Sequence, residues 1–162
     1  MEFSIFEGIN LKEMNMQYLA DMLDQESFWN GNRFVVVTDK TKPAMKLTID
    51  ELTSRGKKVY VVDMSEKPDA AAFRDVSEIP LGADCAVIGL TKTNPADIIE
   101  VIKEKGIRKC WMHWRTDTPE AKEKCAQLNM PLITDRCPMM YLGQGLSIHT
   151  MHGRLAKLLG KY

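Results

Sequence analysis

The chain has no surplus of charge: 22 Lys and Arg are matched by 22 Asp and Glu, for a formal net charge of zero. A general nucleic-acid binder carries a basic surplus, so the balance argues against that class while leaving room for a local basic pocket. No apolar run approaches the ~20 residues needed to span a bilayer, and no membrane segment is expected. The cysteines at 85, 110, 125 and 137 form no CxxC pair, which argues against a zinc ribbon and a thioredoxin-type motif. The N-terminus shows no basic stretch followed by an apolar core, so we expect a reduced, cytoplasmic protein. GxGxxG, GxxxxGK[ST], GxSxG and HExxH are all missing, and no nucleophile with an obvious base can be read.

What is present is ordinary for a globular domain: 44% hydrophobic and 27% charged residues in a chain of 162. Such a chain buries roughly 70% of its unfolded surface and needs neither metal nor disulfide to fold. Residues 1–32 read as a helical extension. Asn10 and Glu13 have the spacing of a capping box, and Leu11, Met14, Tyr18 and Met22 recur at helical spacing. Asp21, Asp24 and Glu26 flank that stripe, whereas a membrane-surface helix is typically basic. Packing on the domain or on a second copy of the chain is the expected use.

From residue 33 one unit recurs: an apolar run, a polar turn, a proline, then a helix-like stretch. Strands are expected at 34–37, 59–62, 85–90, 109–114 and 132–134. Helices follow Pro43, Pro95 and Pro119, and Gly56 and Gly106 close two of them, the usual asymmetry of helix ends. The strands are continuously apolar, as strands buried on both faces must be. Alternation of strand and helix predicts an α/β, doubly wound parallel sheet of about five strands with helices on both faces. Residues 69–76 are expected to form a short helix. The division is 1–32 extension, 33–142 domain, and 143–162 a partly helical tail.

Such sheets bind ligands beyond the carboxyl ends of their strands, so the turns after the strands are the place to look. The first carries Thr38, Asp39, Lys40, Thr41 and Lys42, with Lys46 one helical turn further on; the third carries Thr91, Lys92, Thr93 and Asn94. Helix N-termini attract phosphate through unpaired N–H groups and the positive end of the helix dipole, and lysines add point charges. Two such turns side by side suit a phosphorylated ligand; equally, they are solvated loops with helix caps. Asp63 ends the second strand, where an acid can accept a ribose hydroxyl. With no glycine in 38–43, a nicotinamide dinucleotide is not expected. Cys137, His149 and His152 match no common zinc spacing, and no metal site is expected.

Cys110-Trp111-Met112-His113 and Ile133-Thr134-Asp135-Arg136-Cys137-Pro138-Met139-Met140-Tyr141 carry a resemblance. Together with Glu78-Ile79-Pro80 and the first two strands, they resemble the small stand-alone CoA-binding proteins, whose Rossmann-like domain is related to that of succinyl-CoA synthetase. The resemblance covers about residues 33–142 and implies CoA or acyl-CoA held across the carboxyl ends of the strands. Two stretches depart from the family pattern. Val37-Thr38-Asp39-Lys40 stands where Gly-Ala-Ser is usual, and Val62-Asp63-Met64 where Val-Asn-Pro is usual.

Three functions compete. The first is a non-enzymatic binding module for CoA, acyl-CoA or a related nucleotide, with Lys40, Lys42 and Lys92 on phosphates and the threonines supplying hydroxyls. The second is a thiol-dependent redox or acyl-transfer enzyme using Cys137, although a buried strand-end cysteine explains the same residue. The third is an interaction protein whose nucleotide pocket has decayed, forming an oligomer through 1–32 or 143–162.

Overall fold

The computed structural model describes residues 25–142. The chain divides into two compact units, Met1–Asn30 and Gly31–Tyr162. Of the first unit, residues 25–27 form a helical turn that runs into a 3-10 turn at Phe28–Asn30. The Phe28 ring meets Trp29 edge-on, at 4.8 Å between centroids. The amphipathic stripe from Leu11 to Met22 and the tail 143–162 lie outside the described residues.

The second unit is built on five parallel strands: β1 Arg33–Thr38, β2 Lys58–Asp63, β3 Cys85–Gly89, β4 Lys109–His113 and β5 Leu132–Arg136. Their spatial order is β2-β1-β3-β4-β5. Residues 34–37 are wholly inaccessible, because helices cover both faces of the sheet and leave no face for polar side chains. One face carries α1 (Pro43–Ser54) and α4 (Met139–Leu142), tied by the Arg55 guanidinium donating to the Leu142 carbonyl at 2.7 Å. The other carries α2 (Ala96–Glu104) and α3 (Pro119–Gln127), joined by a Lys124–Glu100 ion pair.

The helix ends follow from local chemistry. Pro43 and Pro119 open α1 and α3, and the Thr118 hydroxyl accepts the Ala121 N–H at 3.1 Å. Gly56 and Gly106, at φ +74° and +80°, supply the left-handed residue that ends α1 and α2. α1 buries Ala44, Met45 and Leu52 together with Thr48, whose hydroxyl donates to the Ala44 carbonyl, and α2 buries Ile98, Ile99 and Ile102. Among the described residues no helix is long and apolar enough to cross a membrane.

Three sequence expectations need correction. The helix at 69–76 does not form. Asp69–Ala72 close a turn, the Ala72 N–H donating to the Asp69 carbonyl at 3.0 Å, Phe73 then pairs with Val62 in a parallel bridge, and Val76–Glu78 makes a 3-10 turn. The polar ends of β2 claim this backbone, with the Asp63 N–H donating to the Phe73 carbonyl at 2.8 Å. The fourth strand stops at His113 rather than Trp114, because Arg115 turns left-handed at φ 61° and Thr116 bonds back to the His113 carbonyl. The fifth strand runs on to Arg136 through a bulge at Asp135, also at φ 61°, where His113 pairs with Arg136.

Candidate ligand-binding site

Strand order reverses between β1 and β3, and their carboxyl ends define the switch point where such sheets take ligands. Asp39 stands there, just past β1, and is 3% exposed. Its Oδ2 accepts the N–H groups of Thr91 and Lys92, both at 2.8 Å. Its Oδ1 accepts the Thr41 N–H at 3.2 Å and the Thr41 hydroxyl. The Thr91 hydroxyl donates in turn to that of Thr41 at 2.8 Å. Burial alone would push the Asp39 carboxyl up. The donors from Lys92, Thr41 and Thr91 outweigh it and hold the carboxyl below its ordinary value. The two lysine-and-threonine turns are therefore side by side and sewn together by this carboxylate.

Lys40 occupies the left-handed region at φ 63°, a conformation that favours glycine. Its N–H donates to the Thr38 hydroxyl at 3.0 Å. Its ammonium points to the β2 side, 2.8 Å from Asp63 Oδ2, 2.9 Å from Asp69 Oδ1 and 2.8 Å from the Lys67 carbonyl. The Asp63 side chain is fully buried and also accepts the N–H groups of Ser65 and Asp69. Burial would raise its carboxyl, but the Lys40 ammonium and these N–H donors hold it far below the usual range. Asp63 thus organises the loop 63–69 and has its oxygens occupied by the protein. Lys92 reaches to Glu66 at 3.3 Å.

Beside this cluster, between α1, the end of β2 and the turn 69–72, lies a cleft of about 640 Å³. Val61, Ile49, Pro43, Ala71 and Ala72 give it apolar walls. Lys40, Lys42 and Lys46 contribute cations to its lining, and Asp50 and Asp69 add acids. Lys46 is paired with Asp50 at 2.8 Å. Lys42 sits at the N-cap of α1, where its side chain accepts no hydrogen bond from the helix. A second, polar crevice of about 320 Å³ lies between the β3 and β4 turns, lined by Thr91, Lys92, Thr93, Arg115, Thr116 and Thr118 among others. At its edge Trp114 is 47% exposed, with the Arg115 guanidinium 4.2 Å from the ring centre.

Cys137 follows β5, at the edge of the sheet opposite β2, and does not line the cleft. It is buried, and burial pushes its thiol up despite N–H donors from Met139 and Met140. Trp111 is a core residue: it is fully buried, its indole N–H donates to the Arg136 carbonyl at 3.0 Å, and Tyr141 meets it edge-on. Among the described residues no group of three His, Cys, Asp or Glu stands close enough to hold a metal ion; His149 and His152 lie outside them.

Sequence reading missed Asp69 and the alanines of 71–72. They enter the site through the turn 69–72 beside β2, where the sequence carries an alanine-rich stretch that reads as helix. It also missed Arg115 and Thr116, which a turn beyond β4 brings against the β3 turn.

A parallel sheet of order 2-1-3-4-5 with helices on both faces defines a Rossmann-like α/β domain. The sequence pattern of the CoA-binding domain matches residues 34–143, and the chain belongs to that family. No curated protein matches in sequence. The fold is shared with solved structures of low identity. A conserved hypothetical protein of Pyrococcus furiosus is 20% identical, at a TM-score of 0.56 over 67% of this chain and 97% of that one. A hypothetical protein of Pyrococcus horikoshii is 16% identical, at a TM-score of 0.59 over 87% and 95%. A Thermus thermophilus protein is 16% identical, at 0.58 over 82% and 96%.

Proposed function

We propose that this chain is a non-enzymatic module that holds CoA or an acyl-CoA by its nucleotide end at the carboxyl ends of β1 and β2. The observation that carries the reading is the 640 Å³ cleft, with apolar walls and lysines in its lining, in a chain of the CoA-binding domain family. Ligand pockets run from about 300 to 1,000 Å³ and combine apolar walls with a few placed polar groups. In this reading the apolar walls take the adenosine, and its phosphates lie by Lys42 and Lys46 at the start of α1, where the helix also favours negative charge. Lys40 and Asp63, already bonded to each other, shape the cleft from behind.

A thermal shift with CoA, acetyl-CoA, ADP and NAD tests this, followed by calorimetry. A ligand at a hundred times its dissociation constant stabilises by roughly 2.7 kcal/mol, several degrees in a domain of this size. CoA is expected to give such a shift, and Lys42→Ala plus Lys46→Ala to remove most of it. No shift with any of the four refutes the reading. The competing function, an interaction protein without a nucleotide, is favoured by Asp39 filling the switch point, and that outcome would select it. Cys137, buried and away from the cleft, lends no support to a thiol-dependent reaction.

A further inference from the structure

We infer that Asp39 is a built-in anion occupying the phosphate seat at the β1–β3 crossing, and that it determines which ligands this fold accepts. The inference rests on the proposed ligand class for its consequence, although the seat itself is read from geometry. Four donors converge on one carboxylate: the N–H groups of Thr41, Thr91 and Lys92, and the Thr41 hydroxyl. Two of them are consecutive backbone N–H groups aimed at a single oxygen. That is the arrangement in which main-chain amides make an anion-binding concavity. The donors come from two loops some fifty residues apart, and Asp39 is almost wholly buried.

The neighbouring cations do not share the seat. The Lys40 ammonium is drawn to Asp63 and Asp69, and Lys92 leans to Glu66. An incoming phosphate at the crossing meets a buried carboxylate instead of open amides, and like charges brought together disfavour binding. The cleft on the β1–β2 side is lined by Lys42 and by Lys46, the latter paired with Asp50 on the exposed face of α1. Asp39 therefore confines a phosphorylated ligand to that side. It rejects ligands that must place a phosphate over the switch point.

Inorganic pyrophosphate, titrated to millimolar concentration and followed through the amide resonances of Thr91 and Lys92, tests the seat directly. In the natural chain these two resonances should not move. In Asp39→Ala they should shift saturably, and CoA, measured separately, should bind at least about tenfold more tightly than to the natural chain. If Asp39→Ala does not fold, Asp39→Ser, uncharged and one atom too short to fill the seat, takes the same titration with the same expectation. A folded variant whose Thr91 and Lys92 amides ignore pyrophosphate overturns the inference. So does a natural chain in which they respond as strongly as in the variant. A natural chain that fails to bind CoA overturns the proposed function while leaving the pyrophosphate result to stand for or against Asp39.

Discussion

Cys137 illustrates how little a residue's identity decides before its surroundings are known. A thiolate, not a thiol, is the nucleophile, and burial raises the pKa of Cys137 above its ordinary value. Iodoacetamide at neutral pH should label Cys137 at least about a hundredfold more slowly in the folded chain than in urea, since reaction waits on opening. Mass spectrometry of the 137-containing peptide reads this, and equal rates would return the thiol-dependent reading to contention. Asp39 and Lys40 make the complementary point. The sequence marks both as candidates for phosphate or ribose contact, yet each is consumed by partners from elsewhere in the chain. Asp39 meets Thr91 and Lys92, 52 and 53 residues on, a pairing no local pattern announces. Lys40 meets Asp69, the first residue of a stretch the sequence suggested was helical.

Among the elements, β3 and α1 show how tightly the site's scaffold is packed. A Cβ on Gly89 would stand 2.5 Å from Met45 Sδ and 2.6 Å from its Cγ. Met45 is fully buried, so it has little room to swing away. Gly89→Ala should lower stability by about 1–3 kcal/mol, the usual penalty of overpacking, as measured by urea unfolding. Combining it with Met45→Ala should cost less than the sum of the single changes, because the clash is then relieved; strict additivity would contradict this packing argument. The strand–turn–proline–helix repeat was legible because strands covered on both faces have to be apolar throughout, and because Pro and Gly punctuate helix ends for steric reasons. The end of β4 and the course of 69–73 were not legible. Both depend on hydrogen bonds from segments that are neighbours only after folding.

For the molecule as a whole, the acids at the carboxyl edge tie stability to pH. Asp39 and Asp63 have folded pKa values below their unfolded ones. Their contribution is therefore fully present above the unfolded value of about 3.9 and is lost as pH falls through the folded values. Urea midpoints should decline below about pH 4. Asp63→Asn should be less stable than the natural chain near neutrality, with the gap closing on acidification. Two curves that stay parallel throughout would show that Asp63 carries no such linkage. The same cluster holds β1, β3 and the loop after β2 together, so acid is expected to loosen the candidate site before the core.

The sequence by itself determined the class of fold, the five strands and the family, because burial, helix capping and a long motif around Trp111 and Cys137 are written locally. Tertiary structure alone decided the strand order and the closing of the switch point by Asp39. It also decided that the open cleft lies between β1 and β2. The reason is physical: a backbone N–H some fifty residues away is an equally plain donor in every sequence. Only the fold determines which carboxylate it meets.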